Sequence, residues 1–253
     1  MKAINEIHLG AQYLAAAGIS FVEKQADDSH TNVGWDTDNQ RLVSRTFGTK
    51  ESQLALNTKL FALEWLNKGD LVANVTLENK THAEIVKWIA NEVRENEVGK
   101  EYTYAFHYEL PYAAITDDFV FGRPDSSEST ILIDALSLAQ GVFERFLDTN
   151  GLASEIRVWP HHFDLGIYAE FSAEKNLFLG AGLAIPDTMI DNLYFYVSGY
   201  KGGEAVVTKD FKALSRGKWH TDWEGATLVA DGKSSTEVEL FLSEVCVTFR
   251  DEA

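Results

Sequence analysis

The chain has 253 residues, of which 45% are hydrophobic, and its 22 basic and 39 acidic side chains give a formal net charge of −17. This length and apolar content are typical of a globular protein that buries a sizeable core. An acidic surface repels phosphate backbones and anionic lipid, so the sequence predicts neither a nucleic-acid partner nor a membrane partner. Cys246 is the only cysteine, which excludes an intrachain disulfide and favours a reducing, cytoplasmic location.

The first half of the chain begins with a predicted helix over residues 3–17, where apolar residues recur at helical spacing. We expect Gly18 to end this helix, because glycine often follows the last helical turn, and a strand to follow over 19–23. Further strands are predicted near residues 31–35, 41–45, 53–63 and 70–77. A second helix is predicted from Thr81 to about Glu95, since Thr81-x-x-Glu84 has the spacing of a capping box.

The second half repeats this order of elements. A helix is predicted from residue 129, with Ile131 on its apolar face and Gly151 after its end. A final helix is predicted from about Ser235, behind the second capping box Ser234-x-x-Glu237. The strands between the two helices are predicted near residues 155–159, 163–171, 177–184, 193–198 and 226–230.

The two halves also match in one short passage. His30–Asp36 aligns with His162–Tyr168, each with histidine first, Asn or Asp two positions on, and Gly two positions after that. We therefore predict an α+β fold of two similar α-β-β-β-β-α units with antiparallel sheets, related as a pseudo-twofold duplication. The predicted parts are a first unit over 1–98, a connector over 99–128 and a second unit over 129–253.

Three segments place polar residues beside aromatic rings, namely 27–32, 159–164 and 219–223. In a strand, alternate side chains share a face, so the polar residues of the two matched passages would converge if their faces packed together. The predicted catalytic residues are His30, His162 and Asp164, since histidine changes charge near neutral pH. The predicted ligand-binding residues are Asn32, Trp35, Trp159, His161, His220 and Trp223. His8 and Gln12, one helical turn apart, are further candidates.

A divalent metal is left open by this pattern, with His30, His162, Asp164 and His220 as candidate ligands, because histidine and aspartate suit zinc or a similar ion. No short metal-binding motif supports it: the sequence has neither His-Glu-x-x-His nor Cys-x-x-Cys. There is also no P-loop, no Gly-x-Gly-x-x-Gly and no Gly-x-Ser-x-Gly, so no cofactor is predicted. Each candidate also has a plain structural interpretation, because a single histidine in a strand is more often a satisfied structural residue than a ligand.

The segments Asp27–Asn32, Trp159–Asp164 and Trp219–Thr221 resemble those of a family of conserved bacterial proteins. Gly180-Ala-Gly182 and Tyr194-Phe-Tyr196 are similar too, and the resemblance runs over most of the chain. That family has no assigned activity, so the resemblance implies no functional residues. It implies only that these polar segments occur together, which favours one shared site.

Three functions follow from these observations. The first is a small-molecule-binding protein, with or without enzyme activity, whose His/Asp/Trp site lies between the two units. The second is a non-catalytic structural or interaction protein, in which the same histidines cap turns and bridge sheets. The third is a metal-dependent hydrolase, in which bound metal activates water. The sequence specifies no ligand and no oligomeric state.

Overall fold

The computed structural model describes residues 2–252, and within that range it has four helices and twelve strands. The helices are α1 (Lys2–Phe21), α2 (His82–Glu95), α3 (Ser126–Asn150) and α4 (Ser235–Glu252). The strands of the first sheet are β1 (Gly34–Asp36), β2 (Arg41–Val43), β3 (Ser52–Asn57), β4 (Ala62–Asn67) and β5 (Asp70–Thr76). Those of the second are β6 (Arg157–Trp159), β7 (Asp164–Ser172), β8 (Leu177–Ala184), β9 (Tyr194–Lys201), β10 (Glu204–Ala205), β11 (Lys218–His220) and β12 (Gly225–Val229).

Both sheets are antiparallel, which confirms the predicted α+β class. The first is a simple meander in the order β1-β2-β3-β4-β5. The second has the order β11-β12-β9-β8-β7-β6, with β10 paired to β9. Five strands in one sheet and seven in the other differ from the four predicted for each unit.

The chain forms two compact units. Unit 1 comprises residues 1–133 and 158–163, and unit 2 comprises residues 134–157 and 164–253. In unit 1, α1 packs on β3 and α2 packs on β5. In unit 2, α4 packs on β9 and β12. Each unit thus buries its own sheet face under helices.

Helix α1 continues past Gly18 to Phe21, so the predicted stop at Gly18 and the predicted strand over 19–23 are both wrong. The reason is tertiary contact. The backbone of His30 and Thr31 lies directly against Gly18, and a Cβ added there would stand 2.4 Å from the His30 carbonyl oxygen. The glycine therefore serves close approach of a second chain segment rather than helix termination.

The strand predicted over 53–63 is in fact a hairpin made of β3 and β4. The side chain of Asn57 accepts a hydrogen bond from the backbone N–H of Leu60, which closes the turn. Phe61 then takes a positive φ of 49° immediately before β4. The two apolar runs are adjacent in sequence, so their hydrophobic pattern alone conceals the turn.

Both predicted capping boxes are present. Thr81 Oγ1 accepts from the N–H of Glu84, and the Glu84 carboxylate accepts from the N–H of Thr81. Ser234 and Glu237 make the same reciprocal pair ahead of α4. Each box satisfies backbone donors that the first helical turn leaves free.

Helix α3 ends at Asn150, and Gly151 follows with a φ of +61°, as predicted. Its predicted apolar face is partly wrong, because Ile131 is 57% exposed. The side chains that α3 buries are Leu132, Ile133, Leu136, Ala139, Val142, Phe143, Phe146 and Leu147. That stripe is rotated from the predicted one by about one residue, which a helix with apolar residues on several sides permits.

Candidate functional site

Four histidines and one carboxylate lie together in unit 1, and we call them the histidine cluster: Asp28, His30, His107, His161 and His162. His107 contacts Asp28 directly, His30 and His161 interact with its charge, and His162 packs against His161. Asp28 and His107 are in direct contact, with Oδ2 and Nε2 3.1 Å apart and both side chains about two-fifths exposed. Asp28 itself has a φ of 58°, which an aspartate adopts only in special turns. The turn brings its carboxylate to His107.

His30 is buried at the end of this turn, in a loop rather than in the predicted strand. Its Nδ1 accepts a hydrogen bond from the backbone N–H of Gln25 at 3.3 Å, so the ring proton belongs on Nε2. Burial lowers the pKa of His30 below its ordinary value, while the charge of Asp28 acts in the opposite direction. The imidazole is therefore neutral at physiological pH.

His161 and His162 lie in the turn between β6 and β7, with ring centroids 4.2 Å apart. The ring of Tyr108 stands 5.8 Å from His161 and that of Trp159 stands 6.3 Å from it. Burial lowers the pKa of His161, and the neighbouring His162 lowers it further. Asp28 and His107 also act on His161 by charge, which places it in the same electrostatic neighbourhood.

Two backbone hydrogen bonds connect the parts of the cluster. Val33 and Val158 form an isolated antiparallel bridge, with N–H to O distances of 3.0 and 2.8 Å. The bridge ties the segment that follows His30 to the segment that precedes His161. His30 and His161 are thus brought near each other by a single pair of backbone hydrogen bonds, which the local sequence pattern does not predict.

The turn that carries His161 is anchored from α1. The carbonyl oxygen of Pro160 accepts from His8 Nε2 at 2.6 Å and from Gln12 Nε2 at 2.8 Å. Since Nε2 of His8 is the donor, its Nδ1 accepts from the hydroxyl of Tyr112 at 3.1 Å. Burial lowers the pKa of His8 to about 4, so this ring is neutral and serves to position the turn.

Residues 101–112, which we call the strap, run along α1 with alternating exposure. The half-buried positions are Tyr102, Tyr104, Phe106, Tyr108, Leu110 and Tyr112. Tyr102 donates to the carbonyl oxygen of Tyr13, and Tyr108 donates to Gln12 Oε1 at 2.8 Å. The strap is thus fastened to α1 by tyrosine hydroxyls, and it carries His107 into the histidine cluster.

An open cleft of about 510 Å³ adjoins the strap. Its lining residues are Leu9, Tyr104, Ala105, Phe106, Tyr108, Glu109, Leu110, Tyr112, Ala113, Ala114 and Ile115. Tyr108 lines this cleft and also contacts the rings of His107 and His161. Aromatic walls beside a few polar groups are typical of small-molecule sites.

In unit 2, Asp164 and Trp223 both meet Tyr196 of β9. The Tyr196 hydroxyl donates to Asp164 Oδ2 at 2.5 Å, and its ring lies edge-on to Trp223 at 5.8 Å. Gly182 leaves room for the Tyr196 ring, because a Cβ there would stand 2.6 Å from it. Gly225 makes the same room for Trp223. The space beside each of these glycines is therefore occupied by an aromatic ring of the protein itself.

His220 belongs to the same face of the second sheet. Its Nε2 lies 2.7 Å from Thr227 Oγ1, and Thr227 pairs with Tyr196 across β12 and β9. Burial lowers the pKa of His220, so its neutral form is favoured. Asp164, His220 and Trp223 thus cluster around Tyr196 within unit 2.

Changing Tyr196 to Phe is expected to lower the free energy of unfolding by about 1–2 kcal/mol, because it removes a buried, charge-assisted hydrogen bond. Tyr168→Phe is the matched control, since Tyr168 is 54% exposed on the same sheet and should change stability by less than about 0.5 kcal/mol. Urea unfolding of the two variants checks this. Equal losses would contradict a special role for the Tyr196 hydroxyl.

The nine predicted site residues therefore divide between the units. Unit 1 holds His30, Asn32, Trp35, Trp159, His161 and His162, and unit 2 holds Asp164, His220 and Trp223. Asn32 is buried, and its Oδ1 has no hydrogen-bond partner among the described residues. Trp35 is buried in β1. His162 is exposed in a turn, so the strand alternation predicted through His30 and His162 begins only after them.

Sequence reasoning missed His107 and the strap. The available signal was the alternation of aromatic residues through Tyr102–Tyr112, which is typical of an extended segment with one buried face. The prediction treated residues 99–128 only as a connector. Asp28 lay within a highlighted segment, but its role depends on a fold contact with the strap.

Among residues 2–252, no group of three or more His, Cys, Asp or Glu side chains is arranged to hold a metal ion. Within the same range, no helix combines the length and apolar content needed to cross a membrane. Comparison with protein families, with curated proteins and with solved structures finds no match to this chain. The residues of the site itself are therefore the guide to function.

Proposed function

We propose that the protein binds a small molecule at the histidine cluster of unit 1 and that the cluster supplies acid–base groups to it. One observation carries the proposal: His30, His107 and His161 all lie within electrostatic range of the Asp28 carboxylate. Titratable groups that come together from distant segments and have shifted pKa values are typical of functional sites, and these histidines come from the first loop, the strap and the β6–β7 turn.

The chemistry of the cluster supports this. A neutral imidazole at His161 can accept a proton or a hydrogen bond from a ligand hydroxyl or amine. His30 has the complementary role, because its Nδ1 already accepts from the Gln25 N–H and its Nε2–H can donate to a ligand oxygen. The Asp28 carboxylate accepts from His107 and so fixes the orientation of that ring. His30 is buried, whereas the side chains of Asp28 and His107 are about two-fifths exposed, so part of the cluster is open to solvent.

The test is nuclear magnetic resonance of the imidazole nitrogens during titration with a library of soluble amines, alcohols, carboxylates and phosphate esters. A ligand of the cluster is expected to move the signals of His30, His107 and His161 together. His161→Gln should weaken such a ligand roughly tenfold, the effect of losing one hydrogen bond of about 1.4 kcal/mol.

His220→Gln is the matched control, because His220 is also a half-buried histidine with a lowered pKa but lies in unit 2. Ligand affinity should be the same in His220→Gln as in the native protein. Ligands that move only the His220 signal, or that bind His161→Gln and native protein equally, would contradict the proposal. Loss of stability in His161→Gln with no ligand response in either protein would support the non-catalytic structural role.

Four predictions from the sequence remain proposals. They are the internal duplication with its pseudo-twofold relation, the shared site between the units, the cytoplasmic location, and the absence of a nucleic-acid partner. One structural similarity between the matched passages supports the duplication. His30 lies in a turn four residues before Gly34 of β1, and His162 lies in a turn four residues before Gly166 of β7.

A further inference from the structure

The cleft beside the strap has an unusual combination of lining groups. Four of its eleven lining residues are aromatic, namely Tyr104, Phe106, Tyr108 and Tyr112. None of the eleven is Lys, Arg or His, and Glu109 is the one charged residue among them. The chain around it is acidic overall, with a formal net charge of −17.

These groups discriminate between ligands by charge. An anionic ligand would find no cationic partner in the lining and would be repelled by the Glu109 carboxylate. An organic cation would meet four aromatic side chains, whose ring quadrupoles attract positive charge, and a carboxylate. Ammonium groups carrying alkyl substituents lose less hydration than bare ions when they enter an aromatic-walled site, which is why aromatic cages are used for them.

The strap aromatics are held in place before any ligand arrives. Tyr108 is fixed by its hydrogen bond to Gln12, and Tyr112 by its hydrogen bond to His8. Phe106 packs between Tyr104 and Tyr108, with ring centroids 4.8 and 5.2 Å away. A preorganised wall costs little ordering entropy on binding.

We propose that this cleft binds an organic cation of the alkylammonium class. The assignment deepens the proposed function, on which it rests, by naming the ligand class of the small-molecule site. Tyr108 links the two parts, because it lines the cleft and its ring stands 5.3 Å from His107 and 5.8 Å from His161. A bound ammonium ligand would thus have imidazoles as neighbours at one end.

The test uses three probes of nearly the same size: tetramethylammonium, tert-butanol and pivalate. Each is titrated into the full-length protein at constant ionic strength, and the backbone amide signals of residues 104–115 are followed by nuclear magnetic resonance. Tetramethylammonium is expected to bind at least about threefold more tightly than tert-butanol, with pivalate weakest.

Two variants locate the effect. Glu109→Gln should weaken tetramethylammonium about threefold and leave tert-butanol unchanged, since an exposed carboxylate contributes a modest, screened attraction. Glu101→Gln is the control, because Glu101 is exposed on the same strap but does not line the cleft. Phe106→Leu should weaken the cation while keeping an apolar side chain of similar volume.

Equal binding of the cation and tert-butanol, or tighter binding of pivalate, would overturn the assignment. So would indistinguishable results for Glu109→Gln and Glu101→Gln. The failure of the proposed function looks different: the amide signals of 104–115 would respond to tetramethylammonium while no library ligand moved the imidazole signals of His30, His107 and His161.

Discussion

Lowering the pH from 7 to 4 is expected to reduce the free energy of unfolding by about 3 kcal/mol through His8 alone. Burial lowers the pKa of His8 from 6.5 to about 4 in the folded protein. Between these two values the unfolded chain binds a proton that the folded protein does not, so stability falls as the pH falls through this window. Well above pH 6.5 the ring is neutral in both states, and His8 adds no pH dependence.

Urea unfolding at intervals between pH 4 and pH 7.5 measures this slope. His8→Gln is the informative variant, because a glutamine amide can still donate to the Pro160 carbonyl oxygen but does not titrate. Its stability should vary less over the same pH range by about 3 kcal/mol. His30, His82 and His161, whose pKa values burial also lowers, will leave a residual slope of the same sign in the variant. Identical slopes in the two proteins would show that His8 is not buried as a neutral ring.

Gly18→Ala is expected to destabilise the protein by about 3 kcal/mol, although alanine is the better helix former. Gly18 lies inside α1, and an added Cβ would stand 2.4 Å from the His30 carbonyl oxygen and 3.1 Å from the Thr31 Cα. Both are backbone atoms, so the contact can be relieved only by moving the segment that carries His30. The imidazole signal of His30 should therefore shift as well.

Gly10→Ala, in the same helix, is the matched control. There the added Cβ would meet side-chain carbons of Leu56 and Leu77 at 3.1 and 3.2 Å, and these can adjust. We expect a change within about 1 kcal/mol for Gly10→Ala, well below the loss for Gly18→Ala. Thermal and urea unfolding of both variants check the difference. Equal stability of the two variants would contradict the close packing of α1 against the His30 segment.

The predictions that succeeded from sequence are those governed by local chemistry. Thr81 with Glu84 and Ser234 with Glu237 cap their helices as predicted, since a capping box needs only residues within one turn. The strand over residues 177–184 has the predicted bounds. Gly151 follows α3 with a positive φ, as its place after an apolar stripe predicts.

The predictions that failed concern contacts between distant segments. Gly18 has the sequence context of a helix end, but its role is set by the backbone of His30, twelve residues on. The hairpin of β3 and β4 shows the same limit, because the apolar pattern continues across the turn at Asn57. In both cases the local pattern fits two structures, and packing selects one of them.

The candidate site separates what the sequence determined from what only the tertiary structure decided. Sequence alone determined an acidic α+β protein with capped helices, one cysteine and polar segments rich in histidine. Only the tertiary structure decided that His107 and the strap belong with Asp28, and that Asp164 pairs with Tyr196 in unit 2. The physical reason is that helices and turns follow from interactions a few residues apart, whereas a site assembled from a loop, a strap and a β-turn depends on pairings more than 70 residues apart.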